Sequence, residues 1–223
     1  MITGFTTGII CGRCVPAPKI GRITEEDNKS NMIDTVTAGK IIIINGPSSS
    51  GKTTLALAVQ KQFDIPFLRF SFDLFLDNQV LPMEQIRNSS FSWDSMRSSV
   101  FSGIHQCLPA LATAGNNLIF DHIIESKSWL ENLIRSISKL DVFFVGLHCS
   151  LPELERREAQ RGDRRSGEAR VDFQTVHRIT SYDLELNSEN AVEDNANLLI
   201  GAWKKRKRPS ALDKMIQELN FEL

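Results

Sequence analysis

Nine consecutive residues constrain this 223-residue chain more than any others: Gly46-Pro47-Ser48-Ser49-Ser50-Gly51-Lys52-Thr53-Thr54. Gly46, Gly51, Lys52 and Thr53 fill every fixed position of the phosphate-binding pattern G-x-x-x-x-G-K-[ST]. The flanks supply the context that such a pattern needs. Lys40-Ile41-Ile42-Ile43-Ile44-Asn45 precedes it and reads as a parallel strand buried on both faces. Leu55 to Phe63 follows it, with apolar residues recurring at helical spacing. A strand, a glycine turn and a helix start make an anion site, because the first helical N–H groups are unpaired and carry partial positive charge. Glycine lets the backbone curl around phosphate oxygens without a side chain in the way. The cradle is expected to run over Gly46, Ser48, Ser49, Ser50, Gly51, Lys52, Thr53 and Thr54. Lys52 brings a full charge to the β- and γ-phosphates, and the Thr53 hydroxyl is a ligand for Mg²⁺.

The rest of the chain bounds what surrounds that cradle. With 41% hydrophobic and 24% charged residues, the length suits one globular α/β domain with extensions. A net charge of −1 gives no general attraction to polyanions, so nucleic acid is not the expected partner. No apolar run approaches the roughly 20 residues that span a bilayer, and no membrane role is expected. Cys107 and Cys149 lie in or beside core-like segments, which favours reduced thiols and a cytoplasmic setting. Cys11-x-x-Cys14 lacks a second pair, and His105, His122, His148 and His177 are scattered, so neither zinc nor redox chemistry is expected there. Residues 1–39 are rich in Gly, Thr and Pro and read as a flexible extension, with Met32 an alternative start close to the first strand.

Taken in order, residues 66–72 read as the second strand, with Asp73 at its carboxyl end. Ligands of open α/β sheets bind outside those ends, so Asp73 is a candidate base; the competing reading makes it a helix cap. Residues 77–92 read as a polar loop of the kind that binds substrate, with Arg87, Phe91 and Trp93 as candidate pocket residues. A helix is expected from Trp93 to Ala114, bent by Pro109. Asn117-Leu118-Ile119-Phe120-Asp121 is the third strand and has the form of a segment whose terminal Asp holds Mg²⁺. His122 reads as a satisfied loop histidine. A helix over 129–140 and a fourth strand over 141–149 follow.

Residues 153–170 hold six arginines and five acids, in a charged helix that ends at Gly162. They read either as a solvated helix or as a lid whose Arg161 and Arg164 close on the transferring phosphoryl group. Residues 182–187 read as the fifth strand and 188–203 as the last core helix. Lys204-Lys205-Arg206-Lys207-Arg208 reads as a solvated helix end, with a nuclear address or polyanion patch as the alternative, and 209–223 reads as an amphipathic helix.

Several separated segments resemble the chloramphenicol phosphotransferases. They are Ile43 to Lys52, Phe70-Ser71-Phe72-Asp73, Val145 to Cys149 followed by Arg157-Glu158 and Arg161-Gly162-Asp163-Arg164, and Tyr182 to Leu186. The resemblance covers residues 40–203. It implies an α/β P-loop NTPase fold, nucleotide-kinase-like, a three-layer sandwich with a five-stranded parallel sheet. It implies transfer of the γ-phosphoryl group of ATP to a hydroxyl of a small molecule, with Asp73 as base, Lys52 and Thr53 serving ATP and Mg²⁺, and Arg161 and Arg164 as the lid. The segment 77–92 departs from the family, which leaves the acceptor open. Zeta-type toxins, which phosphorylate a nucleotide sugar, share the core, so a toxin or secreted effector kinase stands as an alternative. A nucleotide-binding switch without transfer is a third reading, and a base at Asp73 argues against it. Nothing in the sequence addresses the oligomeric state.

Overall fold

A computed structural model describes residues 36–161 and 167–219. The leader with its Cys11-x-x-Cys14 pair, and Arg164 of the expected lid, lie outside the described residues. Among those described, five strands form one parallel sheet in the order β2-β3-β1-β4-β5. The strands are β1 (Ile41–Asn45), β2 (Phe67–Ser71), β3 (Asn117–His122), β4 (Val142–His148) and β5 (Leu184–Asn187). The helices are α1 (Lys52–Gln62), α2 (Asp73–Asp77), α3 (Met83–Arg87), α4 (Trp93–Thr113), α5 (Lys127–Ile137), α6 (Leu151–Arg161), α7 (Glu168–Thr175), α8 (Val192–Lys204) and α9 (Ala211–Glu218).

The central strand explains the layers. Ile41 and Ile43 face one core with Leu118, Phe120, Val142 and Phe144, covered by α4, α5 and α9. Ile42 and Ile44 face the other with Ile119, Phe143 and Val145, covered by α1 and α8. All four isoleucines have no exposed surface. That is why this strand reads as an unbroken apolar run rather than an alternation. Each fully buried side chain of this size contributes roughly 1.5–3 kcal/mol. The expected three-layer α/β sandwich is the observed one.

Three details differ from the sequence reading. The stretch 77–92 is not all loop: α3 sits inside it, and α2 begins at Asp73 itself. β5 starts at Leu184 rather than Tyr182, because Asp183 turns its carboxylate to two backbone donors, Phe144 N at 2.8 Å and Ala211 N at 2.7 Å. The basic run is not simply solvated. Lys204 pairs with Asp64 at 3.2 Å, Arg206 with Asp141 at 2.6 Å, and Arg208 with Asp213. Arg206 also lies over the Trp203 ring, 4.4 Å from its centroid. No helix among the described residues is long and apolar enough to cross a membrane.

Candidate active site

The phosphate loop leaves β1 at the middle of the sheet, and its neighbours dictate its residues. A Cβ on Gly46 would lie 2.6 Å from the Leu147 carbonyl oxygen, so β4 leaves no room for a side chain there. Gly51 has φ +91°, a left-handed turn that admits the chain to α1. Ser49 is also left-handed at φ 64°, unusual for a residue with a side chain. No side chain caps the start of α1, so its first N–H groups point into the loop. Lys52 is buried, and its Nζ donates to the Pro47 carbonyl at 2.8 Å. Ser48 to Thr54 all line one large cleft of about 1860 Å³.

Asp121 sits in the same cleft at the carboxyl end of β3, in register with Ile44 of β1 and Ser71 of β2. It is 5% exposed. Burial pushes its carboxyl up from the ordinary value, against the pull of Lys52, Arg69 and a hydrogen bond from Thr53. Its Oδ2 is buried and accepts no hydrogen bond among the described residues, with Arg69 Nη1 3.6 Å away. A carboxylate oxygen left over beside the Thr53 hydroxyl is the donor set a hard cation takes, with phosphate and water supplying the remaining ligands. The residues therefore fit Mg²⁺.

Asp73 lies two residues past the Ser71–Asp121 pairing, in the first turn of α2, and lines the cleft close enough to Asp121 to push its carboxyl up. Phe72, not Asp73, occupies the cap position of that helix, so the cap reading fails. Arg161 ends α6 on the cleft wall. Arg87 and Trp93 line the cleft as expected, whereas Phe91 is 48% exposed. Beside them stands an aromatic wall: the Phe72 and Phe101 rings are 4.6 Å apart and the Phe101 and Trp129 rings 4.2 Å. Arg97 lies over Trp129 at 4.6 Å and pairs with Glu125.

His122 is not a loop histidine. It closes β3, buried between Phe120 and Trp129, with His105 Nε2 3.1 Å from its own Nε2. Burial lowers both imidazoles, His105 to about 4.

Other residues had no role assigned to them in the sequence reading. Asn45, the last residue of the isoleucine strand, accepts from Ile124 N at 3.0 Å and donates to Tyr182 Oη at 2.8 Å and the Val176 carbonyl at 3.4 Å. It thereby ties the root of the phosphate loop to the segments after β3 and α7. A polar residue closing a fully buried strand was the available signal. Arg157 donates to the Ser50 carbonyl at 3.3 Å, to Ser188 Oγ and O at 3.1 Å each, and to Glu153 at 2.7 Å. Glu158 accepts from Gly167 N at 2.8 Å and Ala169 N at 2.9 Å, joining α6 to α7, and these bonds hold its carboxyl low. Asp172 of α7 accepts from Ser48 N at 2.8 Å, on the phosphate loop itself.

Residues 39–204 match the family model described as chloramphenicol phosphotransferase-like protein. Two Mycobacterium tuberculosis proteins, one from each of two strains and each named "Putative O-phosphotransferase", are 31% identical over 169 residues, which is 67% of this chain and 75% of theirs. The M. tuberculosis APS kinase, solved with AMPPNP and APS, superposes with a TM-score of 0.58 at 18% identity, over 75% of this chain and 98% of its own. A Deinococcus radiodurans tunicamycin resistance protein gives 0.54 at 16%, over 73% and 94%. A Sinorhizobium meliloti gluconokinase gives 0.51 at 20%, over 83% and 97%. At these identities the structural matches establish the fold: that of the P-loop kinases.

Proposed function

We propose, from the premise that this chain belongs to the chloramphenicol phosphotransferase-like family, that it is a kinase moving the γ-phosphoryl group of ATP to a hydroxyl of a small molecule. One observation carries the reading. Asp73 and the Thr53–Asp121 pair open onto the same cleft as the phosphate loop, so a base, a cation site and a triphosphate cradle meet at one place. A protein that only bound nucleotide has no use for the first of these.

In this reading the loop N–H groups and Lys52 hold the phosphates, and Lys52 gives up its bond to Pro47 to do so. Thr53 and Asp121 would hold Mg²⁺, which would offset charge on the phosphate oxygens. Asp73 orients the acceptor hydroxyl and takes its proton. Arg161, at the end of α6 on the cleft, adds positive charge for the transferring group. The aromatic wall with Phe72, Trp93 and Phe101 packs the acceptor. Phosphoryl transfer is mainly positioning and charge stabilisation, so these groups suffice.

The test is incubation with γ-labelled ATP, Mg²⁺ and chloramphenicol, followed by mass spectrometry. Labelled drug establishes both the chemistry and the acceptor class. Slow ATP hydrolysis without labelled drug, abolished in Lys52→Ala, keeps the kinase and moves the search for its acceptor to a metabolite extract screened for a gain of one phosphate. No ATP turnover under any of these conditions ends the proposal.

A further inference from the structure

α7 and the Val176 that caps it turn three residues inward: Ala169, Asp172 and Val176, spaced as one helical stripe, are buried while Val171 and Phe173 beside them are exposed. Two members of the stripe are apolar. The third is a carboxylate, and burial raises its pKa. Its Oδ2 accepts from the Ser48 backbone N–H at 2.8 Å. That N–H belongs to the phosphate cradle. Its neighbour Pro47 is where Lys52 Nζ rests at 2.8 Å, and the lysine charge acts on Asp172. Lys52 is the group that reaches the β- and γ-phosphates. The carboxylate therefore occupies a donor of the phosphate cradle beside Lys52, an anion on an anion site.

We propose that Asp172 stands in for the γ-phosphate and sets the balance between nucleoside triphosphate and diphosphate at this site. One N–H does not satisfy two acceptors, and like charges in a buried setting repel. Entry of a γ-phosphate pushes the carboxylate off Ser48. Departure of the phosphorylated product lets it return, leaving the diphosphate undisturbed. The residue acts through the loop rather than on the reacting atoms, which makes it a positioning residue. The inference rests on the kinase reading above and assigns a role within it.

The experiment is calorimetric titration of the wild-type protein, Asp172→Asn and Asp172→Ala with a non-hydrolysable ATP analogue and with ADP, both with Mg²⁺. Asn keeps the size and an accepting oxygen but loses the charge, and a charge-assisted bond is roughly twice as strong as a neutral one. Tightening of the ATP analogue by about tenfold in Asp172→Asn, with ADP altered by less than about threefold, is the expected result. Equal changes for the two nucleotides, or weaker binding of the ATP analogue, overturns the assignment. A purely structural anchor would weaken both. The wild-type protein supplies a second measurement that does not depend on a variant folding. Hydrogen exchange of residues 168–175 in α7 should rise with the ATP analogue and not with ADP. Identical exchange in the two complexes also overturns it. Absence of binding by either nucleotide to wild-type protein removes the kinase reading itself, whereas normal binding with unchanged variants removes only Asp172.

Discussion

The Tyr182 ring lies against the backbone of Gly146: a Cβ built on that glycine would come within 2.7 Å of two ring carbons. The same tyrosine places its hydroxyl 2.8 Å from Asn45 Nδ2 and 2.8 Å from His177 Nδ1. Contact and hydrogen bonds together fix Asn45, whose backbone leads directly into the phosphate loop. Gly146→Ala should therefore act at a distance. The ring must shift, which costs about 1–3 kcal/mol of stability as overpacking does. The loop root should loosen with it, so nucleotide affinity falls. Tyr182→Phe should keep the packing and lose only the hydroxyl, costing about 1 kcal/mol. Urea unfolding and nucleotide titration of the two variants check this. An alanine variant as stable as wild type would show that β4 yields where the ring requires it.

Asp73 carries the acceptor chemistry in the proposed mechanism, and its replacement should separate binding from turnover. Asp73→Asn keeps the shape of the side chain and removes the basicity. Base catalysis typically contributes about 10²–10⁴-fold, so kcat should fall by that factor while ATP binds nearly as before. Steady-state kinetics with a confirmed acceptor, alongside a binding titration, measures both. Near-normal kcat would remove Asp73 from the mechanism.

The sheet and the phosphate loop were legible in the chain because each rests on local pattern. Four isoleucines in a row announce a doubly buried strand, and Gly46, Gly51 and Lys52 stand where the loop needs them. The acids at the strand ends followed from the same logic, since parallel strands bring their carboxyl ends to one crevice. What stayed hidden depends on partners far along the chain. Asp172 meets Ser48 across 124 positions, Arg157 meets Ser50 across 107, and Tyr182 meets Asn45 across 137. No spacing rule encodes such pairs. The short α3 was hidden for a different reason: five residues give too little periodicity to stand out from a polar loop.

The leftover oxygen of Asp121 leads to a prediction about metal. If Asp121 and Thr53 hold Mg²⁺, Asp121→Asn should raise the Mg²⁺ concentration for half-maximal turnover by at least about tenfold. The same change removes a buried carboxylate that burial already disfavours as an anion, so the apo protein should not lose stability from the lost charge alone. Activity against Mg²⁺ concentration, with melting curves in metal-free buffer, tests the two halves separately. Unchanged Mg²⁺ dependence would take Asp121 out of the cation site.

Acid should weaken the fold through the histidine pair before it reaches most carboxylates. His105 is 3% exposed and its pKa lies at about 4 in the folded protein, against 6.5 for a free side chain. His122, its Nε2 partner, is lowered too, by burial first and by His105 and Lys52 after that. Above about pH 6.5 both states carry neutral imidazole and the stability is fully present. As the pH falls from there toward 4, the unfolded chain takes up protons that the folded protein refuses. Stability then drops by about 1.4 kcal/mol per pH unit for one such histidine, and His105 alone accounts for about 3 kcal/mol by pH 4. His105→Gln keeps a donor for His122 and does not titrate. It should begin somewhat less stable at neutral pH and lose less between about pH 7 and pH 5. Chemical denaturation at a series of pH values compares the slopes, and parallel slopes for wild type and variant would place the acid sensitivity elsewhere.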